Sequence, residues 1–371
     1  MSGTNKIKLE NVFADISRAQ MLLDSVFQGK PVKKILLINP PDIDISMFDY
    51  STTHRGRSNN YPPYGLGVLA RHLINSGYQV KICDLNNEIL SRCKESVDSH
   101  KFCFDMVWSS RLEKDMEEFQ PDLIGVTCLF TVTHSSFVKV CREVKVHIAS
   151  WLGPERNVPL AVGGVHVTHD VERILTEVPE ADFVFLHEAE IAFKHFVEVI
   201  NGRLPAKKLG QVILRNDTEY IEMLEDIRPE TSDINVIPAY ELMDISSYSR
   251  VGNLGSWYGF MEKGTPIATV LSSRGCRAAC TFCNVRVFNG IGVRHRTVES
   301  VLEELTLLKN EHGVKHIIWL DDDLLHDRKR AISLFDGMVK RDLQITWDAT
   351  NGLISHSVCN EEVIAGMAAS G

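Results

Sequence analysis

Ile267-Ala-Thr-Val-Leu-Ser-Ser-Arg-Gly-Cys276-Arg-Ala-Ala-Cys280-Thr-Phe-Cys283-Asn284 runs from a short apolar segment into a loop with three cysteines. The segment Ile267–Leu271 reads as a buried parallel strand, so the cysteines leave from its carboxyl end. Their spacing is C-x3-C-x2-C. Thiolates this close in sequence can reach one polynuclear metal centre. A [4Fe–4S] cluster normally takes four thiolates, so three local ones leave an iron open to a non-protein ligand. An open position is a catalytic feature, as it is in zinc enzymes. A structural zinc site needs four closed ligands, the fourth here from Cys359, His295 or His312. Unligated buried cysteines are the other plain alternative. Three cysteines within an eight-residue span just after a strand favour the metal centre over both.

Working outward, the pattern on both sides alternates strand and helix. Downstream, Val298–Glu311 has helical period, His316–Leu320 reads as a strand, and Arg328–Lys340 as a helix. Ile345–Trp347 and Glu361–Ala369 complete a third βα unit, so residues 265–371 form one domain. Upstream, strands are expected at Lys34–Asn39, Tyr78–Cys83, Asp122–Thr127, Leu160–Gly163 and Phe183–Leu186, with helical segments between them. Five such alternations predict a doubly wound parallel sheet over residues 32–202, with ligands at the carboxyl ends of its strands. Residues 1–31 read as a leader with a helix around Ala14–Phe27. Residues 203–264 read as a linker with a possible hairpin, Val212–Leu214 against Tyr220–Met223. The fold class is therefore α/β, a doubly wound, Rossmann-like parallel sheet followed by three further βα units.

Composition narrows the function classes. The chain has 371 residues, 44% hydrophobic and 24% charged, which excludes a mainly disordered chain, a collagen or a coiled coil. Its 40 basic and 49 acidic residues give a net charge of −9, which disfavours a non-specific nucleic-acid binder. No apolar run reaches the ~18 residues needed for a membrane span. The first residues lack the apolar core of a secretory signal, so a cytoplasmic protein is expected. Nine cysteines, an odd number in a long chain, do not read as a secreted disulfide framework.

Cys276-x3-Cys280-x2-Cys283, with Phe282 before the last cysteine, resembles the signature of the radical S-adenosylmethionine (SAM) superfamily. The resemblance implies a partial (β/α) barrel, with a [4Fe–4S] cluster loop after its first strand. It implies that SAM chelates the open iron and is cleaved reductively to a 5′-deoxyadenosyl radical. The cofactor carries that chemistry, while the protein binds, orients and excludes water. Arg294-His-Arg296 through Glu304 is similar to the family's basic stretch and first barrel helix. Trp319-Leu-Asp-Asp-Asp323 sits where members approach the amino group of SAM, so Asp321, Asp322 and Asp323 are candidate cofactor ligands beside Phe282. Their plain alternative is to cap the next helix. Asn351 stands where members often carry arginine.

The first half resembles the cobalamin-binding domain that precedes the barrel in one class of this superfamily. Ile38-Asn-Pro-Pro41, Tyr61-Pro-Pro-Tyr-Gly-Leu-Gly67, Val162-Gly-Gly-Val-His166 and His187-Glu-Ala-Glu190 carry the likeness. Pro41, Gly65, Thr127, Gly163, Gly164 and Glu188 are the candidate cobalamin residues. The glycines suit tight turns and close backbone approach, and Thr127 and Thr131–Ser136 offer hydroxyls at a strand end. The D-x-H-x-x-G pattern is absent, so no lower histidine ligand is expected from the first loop. Ala189 stands where the family favours glycine. His54, His166 and His169 read as surface or loop histidines.

Together these resemblances imply a radical SAM enzyme using cobalamin for methyl transfer, radical cyclisation or rearrangement of a small-molecule substrate. An electron donor such as flavodoxin or ferredoxin is its implied partner, with no nucleic acid and no membrane span. The alternatives are a catalytically inactive cobalamin- or SAM-binding or sensory protein, and a structural zinc protein. At ~30 or more residues per βα unit, a six-unit barrel needs about twice the length after residue 265. The chain is thus read as stopping within the barrel, with poor solubility and little turnover expected from its exposed edge.

Overall fold

The computed structural model describes residues 3–152, 158–217, 219–254, 262 and 264–371. The chain folds as two compact units that interleave in sequence. The first comprises Met1–Ser46, His72–Leu85 and Asp105–Arg228. The second comprises Met47–Arg71, Asn86–Phe104 and Pro229–Gly371. The linear division expected from the sequence does not coincide with these units. Tyr61-Pro-Pro-Tyr-Gly, read with the first domain, groups with the second.

The first unit is built on seven strands: β1 (Lys34–Asn39), β2 (Gln79–Asp84), β3 (Leu123–Thr127), β4 (Leu160–Gly163), β5 (Phe183–Phe185), β6 (Val212–Asn216) and β7 (Glu219–Met223). Their order is β2-β1-β3-β4-β5-β6-β7. The first five run parallel, as the sequence predicts. Strand β1 is apolar throughout its centre because both faces are covered, and Ile35, Leu36, Leu37 and Ile38 are all buried. Ile38 is in register with Cys83 and Val126, so Asn39, Asp84 and Thr127 end at one edge. The chain leaves β1 for β2 on one side and reaches β3 on the other, which puts a topological switch point at that edge.

Two expectations are corrected here. The expected hairpin of Val212–Leu214 with Tyr220–Met223 is present, but it belongs to the sheet and not to a linker. Strand β6 pairs antiparallel with β5, and β7 with β6, extending the sheet. The run Val212-Ile-Leu214 is buried because it lies against β5 as well as β7. The leader also belongs to the unit. A helix spans Gly3–Phe27 and buries Ala19, Leu23 and Phe27, one every fourth residue. Phe27 stacks on Phe183 at 6.0 Å between ring centres.

The second unit contains β8 (Ile267–Val270), β9 (Ser273–Arg274), β10 (Arg294–His295), β11 (His316–Trp319) and β12 (Thr346–Asp348). Strands β12-β11-β8 form a parallel sheet. Helices Val298–His312, Arg328–Lys340 and Glu361–Ser370 alternate with these strands. Their N-caps are Thr297, Asp327 and Asn360, each accepting a backbone N–H with its side chain. These are the three βα units expected from the sequence. Strands β9 and β10 add an antiparallel ribbon of two residues each.

A buried polar network ties this unit together. Arg296 donates to the Glu304 carboxylate, to Tyr64 Oη at 3.3 Å and to the Leu271 carbonyl at 3.1 Å. Tyr240 donates to the other Glu304 oxygen at 2.5 Å. Glu304 is fully buried and Arg296 nearly so. Burial pushes the Glu304 carboxyl up, and the Arg296 guanidinium opposes that push. The guanidinium itself stays charged. Removing one partner strands the other charge. Arg296→Met should therefore cost about 3–5 kcal/mol in a denaturant titration. Adding Glu304→Gln should recover part of the loss. A single-mutant cost below about 1 kcal/mol would show that Glu304 is already protonated.

Candidate active site

The cysteine loop starts where β8 ends, and its root is fixed by residues from the end of β11. The Asp321 carboxylate accepts from the Ser272 amide at 2.9 Å, the Ser272 hydroxyl at 2.7 Å and the Ser273 hydroxyl at 2.5 Å. Burial raises the Asp321 carboxyl, and these three donors pull it back down. Arg330 completes the clamp, donating to the Ser272 carbonyl at 2.9 Å and the Arg296 carbonyl at 3.0 Å. One residue beyond Ser273 and Arg274, Gly275 has φ +88°, and a Cβ there would lie 2.4 Å from the Gly292 carbonyl oxygen. The loop needs glycine at this turn.

Asp323 holds the loop one residue past Cys276. It accepts from Arg277 Nε at 2.6 Å and Nη2 at 2.8 Å, a two-pronged ion pair. Arg277 also donates to Ser357 Oγ at 3.0 Å. Asp321 and Asp323 are therefore engaged by protein donors that fix the root of the loop. Asp322 differs. It makes no hydrogen bond among the described residues, and burial together with Asp321 and Asp323 pushes its carboxyl up to about 6. An acid kept in such a place without a partner is a mark of a functional site. None of the three caps the following helix, which Asp327 does.

Cys276 is partly buried, while Cys280 and Cys283 are exposed, and all nine cysteines are free thiols. Burial raises the Cys276 thiol, with Asp323, Asp322 and Cys283 adding to the shift. Phe282 is 88% exposed. The donor set suits a cluster held by three thiolates. The loop does not gather them on one point: among the described residues, no three His, Cys, Asp or Glu side chains form a metal-holding group. Cys359, His295 and His312 do not join them either. His295 Nε2 is 3.0 Å from His326 Nδ1, and the ring of His312 faces Tyr240. Asn351 donates to the Leu320 carbonyl at 2.9 Å.

In the first unit, the predicted residues fall at the carboxyl edge of the sheet with one exception. Asn39 donates to Asp84 at 3.0 Å, and beyond the buried Pro41, burial and then Asp84 raise Asp42 to about 7. Thr127 ends β3 in register with Gly163. Gly164 has φ +119°, and a Cβ there would lie 2.5 Å from the Cys128 carbonyl oxygen, so only glycine fits. Gly163 has no such need. Glu188 is buried after the turn at His187, where Gln211 binds the carbonyls of Leu186 and Glu188. Gly65 is the exception. It lies within the helix Tyr64–Asn75, in the second unit, with open space at its Cβ position and no tight turn. His166 is corrected too. It is 2% exposed and bonded to His134, because its turn at Gly164 folds it under the loop after β3. Sequence reading missed Arg277 and Arg330. Arg277 stood inside the cysteine motif, but the partner of Arg330 lies 58 residues away.

Residues 56–197 match the family model of the B12 binding domain, and residues 270–371 match that of the Radical SAM superfamily. The chain thus carries a B12-binding domain followed by a radical SAM domain. It is 28% identical over 343 residues to an uncharacterised methyltransferase of Pyrococcus horikoshii, covering 92% of this chain and 64% of that protein. It is 26% identical over 368 residues to the cytidylyl-2-hydroxyethylphosphonate methyltransferase of Streptomyces wedmorensis, covering 92% and 65%. An anaerobic magnesium-protoporphyrin IX monomethyl ester cyclase of Cereibacter sphaeroides is 25% identical, over 66% of this chain and 37% of its own length. The fold is shared with the radical SAM methyltransferase TsrM of Kitasatospora setae, at a TM-score of 0.66 and 16% identity, over 91% of this chain and 57% of that one. The chain therefore spans about two thirds or less of the relatives it matches. No helix among the described residues is long and apolar enough to cross a membrane.

Asp322 carries a testable cost. Its folded pKa lies above the ordinary carboxylate value, so the folded state is favoured by protonation and weakened as pH rises through about 6. Asp322→Asn should raise the denaturation midpoint at pH 7.5, and the gain should vanish as pH falls to about 4. Equal midpoints at both pH values would show that the carboxylate has a partner.

Proposed function

We propose that this chain binds a [4Fe–4S] cluster, SAM and cobalamin, and serves methyl transfer to a small-molecule substrate. The observation that carries the reading is the three-cysteine loop, clamped at the carboxyl end of β8 beside one unpartnered carboxylate. Cys276, Cys280 and Cys283 are the thiolate ligands, and three ligands leave one iron for SAM. When bound, the cluster supplies the electron that splits the SAM sulfonium and releases a 5′-deoxyadenosyl radical.

The chain's own residues bind and orient. Asp322 accepts a hydrogen bond from the amino group of SAM, for which a desolvated carboxylate is a strong partner. Phe282 offers an apolar face beside the thiolates. Asp321, Asp323, Arg277 and Arg330 would keep the root of the loop seated with the cluster in place. In the first unit, Pro41, Thr127, Gly164 and Glu188 lie at the sheet edge where cobalamin is read to bind, at the switch point where open α/β sheets take ligands. Methyl transfer is favoured over cyclisation because the two relatives that match 92% of the chain are methyltransferases. Electrons come from a flavodoxin- or ferredoxin-like donor. Nine free thiols suit a reducing, cytoplasmic setting.

Anaerobic reconstitution with iron and sulfide should give broad absorbance near ~400 nm, the expectation for an iron–sulfur centre. Cys280→Ala should abolish it. With SAM and a reductant the wild-type protein should then release 5′-deoxyadenosine. A colourless protein that holds only zinc would overturn the cluster reading. A coloured protein that never cleaves SAM would favour a binding or sensory role.

A further inference from the structure

Four side chains of the first unit stand in one hydrogen-bonded line. Thr131 Oγ1 is 3.2 Å from His166 Nδ1. His166 Nε2 is 2.9 Å from His134 Nδ1, and His134 Nε2 is 2.9 Å from Glu177 Oε2. Both imidazoles are buried, His166 at 2% exposure and His134 at 5%. Their rings meet edge to face.

The carboxylate end sets the direction of the line. Hydrogen bonds from Arg173 and His134 hold Glu177 below the usual carboxylate range, so it is ionised and can only accept. His134 must then donate from Nε2 and, when neutral, accept at Nδ1. His166 in turn donates from Nε2 and accepts at Nδ1. Burial, and then His134, push His166 below the ordinary imidazole value, which favours its neutral form. Asp170 acts in the opposite sense on His166, while Arg173 and His169 add to the depression. The last proton in the line is that of Thr131, whose hydroxyl hydrogen is turned inward. Its oxygen lone pairs are left for a partner outside.

Thr131 lies just past the carboxyl end of β3, on the edge where the B12-binding domain takes its ligand. Leu129, Phe130 and Val132 around it are 51%, 49% and 54% exposed. An oriented acceptor among exposed apolar side chains fits a ligand with a methyl-rich ring and primary carboxamides. Cobalamin has both. We propose that Thr131 is a positioning residue for cobalamin, its hydroxyl turned by His166, His134 and Glu177 to accept an N–H from a carboxamide of the ligand. The proposal rests on the reading that this domain binds cobalamin.

Equilibrium dialysis of the full chain against hydroxocobalamin tests it. Thr131→Val should bind roughly three- to tenfold more weakly at pH 7.5, the range for one neutral hydrogen bond. Thr131→Ser should keep wild-type affinity. His134→Gln should weaken binding similarly, and add little to Thr131→Val in the double variant. Wild-type affinity should also fall as pH drops below the ordinary imidazole value of about 6.5. A protonated His166 donates from Nδ1 and turns the Thr131 hydrogen outward, against the amide. Thr131→Val should lack that step. Unchanged affinity in Thr131→Val, or the same pH step in it, overturns the proposal alone. No binding by the wild-type chain overturns the cobalamin reading and the proposal with it.

Discussion

One buried carboxylate organises the radical SAM unit. Asp321, just past the end of β11, takes three hydrogen bonds from Ser272 and Ser273, which lie between β8 and the glycine turn. A desolvated carboxylate is costly without partners, so its donors are held as firmly as it is. Arg330 binds the Ser272 hydroxyl and carbonyl from the helix after β11 and also grips the Arg296 carbonyl. The cysteine loop thus departs from a fixed point. Its own thiols remain exposed or half-buried.

Three consecutive aspartates do three different things because they leave a strand end in different directions. Asp321 turns into the core, Asp323 pairs with Arg277 within the cysteine motif, and Asp322 has no donor among the described residues. The first and third are held by protein donors and fix the loop. The middle one carries a burial cost that no contact among the described residues offsets. That is the arrangement expected where an outside cation is to be bound, stability being given up for function.

Much of this was legible in the sequence. Strands such as Lys34–Asn39 and His316–Trp319 announce themselves as short apolar runs because both of their faces are covered. The cysteine spacing pointed to the site without any fold at all. What sequence could not show depends on distant partners. The β9–β10 ribbon is two residues long on each side and has no period to detect. Residues 47–71 and 86–104 look like ordinary connections of the first domain, yet their contacts lie with the second unit. His134 and His166 stand 32 positions apart, and nothing local says that their rings meet. The need for glycine at Gly164 follows from a backbone approach to Cys128, whereas Gly65 looked equally special and sits in a plain helix turn.

The reading turns on an iron left open for SAM by a loop of only three cysteines. The electron paramagnetic resonance spectrum of the reconstituted, reduced protein, recorded before and after SAM is added, reports on that iron directly. A shift of the cluster signal on adding SAM in the wild-type protein, weakened at equal SAM in Asp322→Asn, is the expected result. A cluster signal that SAM leaves unchanged at saturating concentration would mean that no iron is open, and the site would have to be read as an electron-transfer or structural centre.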